Sequence, residues 1–182
     1  MTDCILLIRH CQTTGQEPGA PLSEQGKTQA LFLAECLREH APGRLISSPF
    51  TRALDSIAPL ARRLELEVQP DPRLAEWQIM PDAGPDSKVL AEILDGRRAA
   101  PAEQELRDAV LARVRAALSD AWEGPDGCTA LVGHGKLFSV LLSDLTGRLA
   151  TEIWPQLTNP DVFVLQRRGW AVCIERAWDD DK

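Results

Sequence analysis

Two of the three histidines close short apolar runs of strand-like residues. Ile5-Leu6-Leu7-Ile8 leads directly into Arg9-His10, and Thr129-Ala130-Leu131-Val132 leads into Gly133-His134-Gly135. In an open α/β sheet, ligands bind in the crevice outside the carboxyl ends of the strands. Two imidazoles and an arginine delivered to that edge describe a site for an anion, most simply a phosphate. Bidentate arginine matches phosphate oxygens and adds charge-assisted hydrogen bonds. Arg9 leaves the first strand beside His10, and Arg52 falls in the first turn of the helix after the second strand, facing the same edge. Taken singly, either arginine is an ordinary surface ion-pair residue; the combination with two histidines is not. A helix N-terminus at Gly135-Lys136 adds free N–H groups and partial positive charge. The third histidine, His40, follows a helical pattern and precedes Ala41-Pro42-Gly43, which reads as a surface residue at a helix C-terminus.

These groups suit phosphoryl transfer. A neutral imidazole held at a fixed angle can attack phosphorus and form a covalent intermediate, provided that an acceptor holds its other nitrogen. A leaving alkoxide needs a proton, which calls for a carboxylic acid near the bridging oxygen. Glu76, in Arg73-Leu74-Ala75-Glu76-Trp77, follows the third strand and is the candidate; Asp71 and Asp82 are weaker alternatives. No ligand set is spaced for a metal, since His10, Cys11 and His134 lack further partners and adjacent residues rarely point at one ion. No cofactor is expected.

Apolar runs alternate with helical patterns, which predicts crossover units, a mostly parallel sheet and a three-layer αβα fold. Strands are expected at Cys4–Ile8, Arg44–Ser47, Leu66–Gln69 and Thr129–Val132. Val162–Gln166 and Ala171–Glu175 flank Arg167-Arg168-Gly169 and read as a C-terminal hairpin. Ser23 is a plausible N-cap for a helix carrying Ala30, Leu33, Ala34 and Leu37. Ser48-Pro49 opens a second helix, in which Pro59 is expected to make a kink or a break. Pro101 is read as opening a long helix with Leu106, Val110, Val114, Ala117, Leu118 and Ala121 inward, and Lys136–Leu145 as the helix after His134. Residues 70–101 hold five prolines and one short helical stretch near Ser87–Leu94. They read as a small cap over the strand ends of a single domain, 1–182. Within the cap, Trp77, Ile79 and Met80 would face an organic leaving group. Lys88 is the only base between Trp77 and Leu94, which disfavours a substrate with several phosphates.

At 182 residues and 44% hydrophobic, the chain can bury a full core. A net charge of −7 argues against a general nucleic-acid partner. Its apolar runs are far too short for a membrane span. Five cysteines without a CxxC pair, and no leader-like N-terminus, read as a reduced cytoplasmic protein.

In order along the chain, several segments resemble the blocks of the histidine phosphatase (phosphoglycerate mutase-like) superfamily. They are Arg9-His10 with Gln12-Thr13, then Pro21-Leu22-Ser23-Glu24-Gln25-Gly26, Ser47-Ser48-Pro49-Phe50-Thr51-Arg52-Ala53, Leu74-Ala75-Glu76 and Val132-Gly133-His134-Gly135. Asn159 stands where the family often has a small polar turn. The resemblance implies a phosphoglycerate mutase-like fold and roles for the residues. His10 would be the phosphorylated nucleophile and Glu76 the proton donor and later base. Arg9, Arg52 and His134 would hold the phosphoryl oxygens. Gln16, where the family usually has Asn, would donate an amide hydrogen bond, and Gly135 belongs to the last binding turn.

The implied activity is a metal-independent phosphatase acting on a small phosphorylated substrate, with a phosphoprotein also open. A phosphoglycerate-type mutase is the alternative, disfavoured because Trp77-Gln78-Ile79-Met80 replaces the mutases' Arg-His-Tyr-Gly run. So is a non-catalytic phospholigand-binding module, because Cys11 replaces the glycine that follows the family's nucleophile. If that glycine needs positive φ, Cys11 strains the loop. Otherwise Cys11 either places a thiol in a cationic pocket, activated as thiolate, or packs inertly beneath the loop.

Overall fold

The computed structural model describes residues 2–79, 88–124, 127–168 and 171–178. A six-stranded sheet is built from β1 (Thr2–Arg9), β2 (Arg44–Ser47), β3 (Val68–Pro70), β4 (Gly127–Gly133), β5 (Asp161–Arg168) and β6 (Ala171–Arg176). Its spatial order is β3-β2-β4-β1-β5-β6. The first four in that order are mutually parallel, while β5 runs antiparallel to β1, and β6 to β5. The helices are α1 (Glu24–Leu37), α2 (Thr51–Leu64), α3 (Lys88–Leu94), α4 (Arg107–Trp122), α5 (Gly135–Thr146) and α6 (Ala150–Ile153). None of the described helices is long and apolar enough to cross a membrane.

The unbroken apolar run of β1 is explained by its place in the middle of the sheet. Ile5, Leu6, Leu7 and Ile8 are all inaccessible to solvent. Successive side chains point to opposite faces. Ile5 and Leu7 pack with Val114, Leu137 and Leu141 of α4 and α5, whereas Leu6 and Ile8 pack with Leu33, Ala34, Ile57 and Leu60 of α1 and α2. Covering both faces makes the three layers expected for a mostly parallel sheet. This arrangement also makes the site. β1 feeds α1 on one face, and its neighbour β4 feeds α5 on the other. A crevice must therefore open between their carboxyl ends, where His10 and His134 sit.

Several boundaries differ from the sequence reading. The third strand is Val68–Pro70, two residues later than expected at its start. Phe50, not Ser48, is the N-cap of α2, and the helix runs unbroken through Pro59. An interior proline costs about 3 kcal/mol of helix stability. Here Ala53, Ile57, Leu60 and Ala61, buried on both sides of it, hold the helix to the sheet.

The long helix begins at Arg107 rather than Pro101, and Leu106, expected inward, is 54% exposed. Residues 101–106 are spent elsewhere: the Glu105 carbonyl accepts the Trp77 indole N–H at 2.9 Å. That bond belongs to a second correction. Trp77 and Ile79 do not face a substrate but are buried in the core with Leu90, Ile93 and Leu94 of α3. The flat, large Trp77 ring is better used as core once its one polar atom finds a carbonyl. Met80 and Asp82 lie outside the described residues.

Candidate active site

The strands that carry the site run in register to the crevice. Arg9 pairs with Gly133 of β4 on one side and Asp161 of β5 on the other. The ladder continues one step beyond, with His10 N donating to Gly133 O at 3.1 Å and Ser48 N to Val132 O at 2.8 Å. His10 is thus fixed by backbone pairing rather than by a free loop, and His134 by its place as N-cap of α5, where its carbonyl accepts the Phe138 N–H at 3.0 Å. His10 is 5% exposed and His134 is fully buried, and their ring centroids lie 5.1 Å apart.

Hydrogen bonds decide the tautomer of His10. Arg52 Nε, which can only donate, lies 3.2 Å from Nε2. Nδ1 lies 2.7 Å from the Cys11 carbonyl, which can only accept. The ring therefore carries its proton on Nδ1 and presents a lone pair at Nε2. Burial is the main cause that lowers the pKa of His10 to about 3. Arg52 and Arg9 add to it, and the Cys11 carbonyl opposes it. The imidazole is neutral at physiological pH, as a nucleophile requires. Asn159 Nδ2 donates to the His10 carbonyl at 2.8 Å and fixes the backbone from the β5 side.

His134 is arranged differently. Its Nε2 is 2.7 Å from Ser48 Oγ, which also accepts the Phe50 N–H at 3.2 Å. Ser48 Oγ keeps a second lone pair and its own proton, so this bond forms with either tautomer of His134. Burial above all, then the nearby His10, Arg52 and Arg9, holds His134 well below the usual histidine range. His134 Nδ1 and Arg9 Nε are buried and have no hydrogen-bond partner among the described residues. Buried unpaired polar atoms cost about 1–3 kcal/mol each, and an anion is matched by both when Nδ1 carries the ring proton.

The arginines are pre-set. Arg52, 1% exposed, donates from Nη1 to the carbonyls of Gln16 and Glu17 at 3.1 and 3.0 Å and stacks 4.9 Å from the Phe50 ring. The structure thus gives Gln16 a role through its carbonyl; its side chain is exposed. Arg9 Nη1 donates to Leu157 O at 2.7 Å. Its guanidinium passes over Gly135, where a Cβ would come within 3.1 Å of Nε, so only glycine admits it without displacement. Burial lowers the pKa of both arginines, and Glu76 opposes the shift in each.

Glu76 sits at the start of α5. Oε1 accepts from Trp77 N at 2.8 Å and Leu137 N at 3.1 Å, and Oε2 from Lys136 N at 3.3 Å. A carboxyl group at a helix N-terminus is held by free N–H groups. The weaker alternative Asp71 is engaged elsewhere, in a bidentate pair with Arg73, whose hydrogen bonds are the main reason its carboxyl stays below the usual range.

Cys11 takes the inert arrangement. It is fully buried against the α1 and α2 face of the core, and burial pushes its thiol up to about 12. Its φ is not positive, so no glycine is needed at this position. Of the two alternatives for the thiol the inert one is found, and the loop is not strained. The loop is held instead by Ser56, whose Oγ accepts the Cys11 N–H at 2.8 Å and donates to the Arg52 carbonyl at 2.6 Å. One buried hydroxyl therefore ties the loop after His10 to the helix that carries Arg52. On the other side α1 presses on the same loop: a Cβ at Gly26 would lie 1.9 Å from Gln12 O.

This constellation is that of a known class. The chain belongs to the histidine phosphatase superfamily (branch 1), whose family model matches residues 5–179. Among curated relatives, glucosyl-3-phosphoglycerate phosphatase of Mycobacterium tuberculosis is 32% identical over 177 residues, covering 84% of this chain and 79% of that protein. The structure of a mycobacterial glucosyl-3-phosphoglycerate phosphatase in complex with inorganic phosphate is similar with a TM-score of 0.73, at 27% identity over 96% of this chain and 95% of the other. The phosphoserine phosphatase of Entamoeba histolytica, in complex with phosphoserine, shares the fold at a TM-score of 0.76 and 19% identity, covering 97% of each chain.

Proposed function

We propose that the protein hydrolyses phosphomonoesters through a phosphohistidine on His10, without a metal. The observation that carries this reading is the neutral His10, with its Nδ1 proton bonded to the Cys11 carbonyl and its Nε2 lone pair facing Arg52. Arg9, Arg52 and the His134 Nδ1–H bind the phosphoryl oxygens and the charge that grows on them. His10 Nε2 attacks phosphorus, the bond from phosphorus to the ester oxygen breaks, and protonated Glu76 gives that oxygen its proton. Positive charge arising on the ring is stabilised through Nδ1–H and the carbonyl. Glu76, now ionised, takes a proton from water, whose oxygen attacks phosphorus and frees Nε2 and inorganic phosphate.

Metal independence belongs to the proposal. It is supported by the donor set, since no group of three or more His, Cys, Asp or Glu residues among the described residues is placed to hold an ion. The reading also takes the chain as one cytoplasmic domain, with about 70–101 as a rim over the site and small phosphorylated molecules as substrates. The strained-loop argument for a non-catalytic binding module loses its basis with Cys11 outside the positive-φ region.

The test is phosphate release from 4-nitrophenyl phosphate and a panel of alkyl phosphates in the presence of a strong chelator. Full activity with chelator is expected. Activity that disappears on chelation and returns with a divalent ion would overturn the reading.

A further inference from the structure

A cavity of about 520 Å³ is lined by Glu76, the proposed acid, which places it to take the organic part of an ester bound at His10. Its apolar wall is Phe50, Pro72 and Ala75, and its charged wall is Glu103, Glu105 and Arg113. Phe50 joins the two regions, since its ring also lies 5.1 Å from His134.

The single cation on this wall is already engaged. Arg113 Nε and Nη2 bind the Glu105 carboxylate at 2.7 and 3.0 Å, and Nη1 donates to the carbonyls of Arg73 and Ala75 at 2.6 and 2.8 Å. A guanidinium has five N–H donors, and four of these are used there. Glu103 is exposed at the mouth. Glu105 and Arg113 offset each other, so Glu103 gives this wall its net negative charge, while the floor of the site is cationic.

We infer that the cavity selects phosphomonoesters whose phosphoryl group is their only anion, with Glu103 as the residue that sets this specificity. The inference rests on the phosphatase reading above. A carboxylate or second phosphate on the leaving group would lie against the Glu103 charge, with the one cation of the lining, Arg113, already held by Glu105. Specificity here comes from repulsion of the wrong ligand as much as from attraction of the right one. An uncharged, hydroxylated or aryl leaving group meets Phe50 and Pro72 without that cost.

Glycerol 3-phosphate and 3-phosphoglycerate test this directly, because they differ only in a hydroxymethyl group against a carboxylate. Each is measured as a competitor of 4-nitrophenyl phosphate hydrolysis, and its binding to His10→Ala is followed by calorimetry. Glycerol 3-phosphate should bind at least about tenfold tighter at low salt, with the gap narrowing as salt screens the exposed carboxylates. Glu103→Lys should shrink the ratio of the two affinities by about tenfold or more, and Glu103→Gln by less. Equal or tighter binding of 3-phosphoglycerate by the native protein, or a ratio unmoved by Glu103→Lys, overturns the inference. Failure to hydrolyse any ester would instead defeat the phosphatase reading, while calorimetry still ranks the two ligands.

Discussion

The floor of the site and its rim are built on opposite physical terms. The floor takes His10, Arg52, His134, Ser48 and Ser56 out of water almost completely and fixes them by strand pairing and by hydrogen bonds to backbone. The rim takes Glu103, Glu105 and Arg113 from irregular backbone and a helix flank, and leaves the acids exposed. Burial on the floor, reinforced by the two arginines, keeps both imidazoles neutral well below the pH at which a histidine in water takes up a proton. At the rim water is present, so charge there acts weakly and over distance. The proposed chemistry is therefore assigned to the buried, paired residues, and the proposed choice of leaving group to the exposed ones.

Substitutions on the floor should have the largest effects. His10→Ala removes the nucleophile and should lower kcat by at least about a thousandfold on every substrate in steady-state assays. Near-normal rates would place the chemistry elsewhere. Glu76→Gln should reduce turnover of alkyl phosphates by roughly a hundredfold or more, and that of aryl phosphates much less, because aryl oxides leave without protonation. Equal losses on both would remove Glu76 as the acid.

Ser56→Ala leaves the buried Cys11 N–H without its acceptor. The expected cost is about 1–3 kcal/mol in urea unfolding, with kcat falling more than KM rises. An unchanged kcat would make Ser56 purely structural.

The burial of His10 also has a pH signature. Below its ordinary pKa of 6.5 the unfolded histidine binds a proton, while the folded one stays neutral down to about 3. The unfolded state then holds more protons, so this contribution to stability is complete above pH 6.5 and is lost progressively as pH falls toward 3. His10→Ala should flatten the decline of Tm over that window; a parallel decline would mean His10 is not buried neutral.

The smallest effect is at Cys11. Iodoacetamide should leave its buried thiol unmodified in the native protein, as peptide mapping can show. Rapid, phosphate-protected alkylation there would reopen the activated-thiolate reading.

Much of the floor was legible because strand pairing is local in its signals. Apolar runs ending in Arg9-His10 and Gly133-His134 marked the sheet edge, Ser23 marked its helix, and Arg52 followed from the helix after β2. Asn159 was visible only as a small polar turn, since its bond to the His10 carbonyl spans the fold. Ser56 left one faint trace, a serine within the apolar stripe of Ala53, Ile57 and Leu60. Ser48 looked like a helix start and proved to be the partner of His134.

The rim was read less well. Trp77 and Ile79 had the composition of a ligand surface but are core, because burial depends on what α3 and residues 101–106 bring to them. Cys11 could not be placed from sequence, since a thiol reads alike in a core and in a pocket.

The central claim is that phosphorus becomes bonded to His10 Nε2 during turnover. It is tested most directly by quenching the enzyme in alkali within milliseconds of mixing with 4-nitrophenyl phosphate and mapping the peptides by mass. The account predicts a phosphoryl adduct on His10 that survives alkali, is lost in acid and is absent from His10→Ala. Turnover at full rate with no adduct on His10, or with the adduct on another residue, would contradict it.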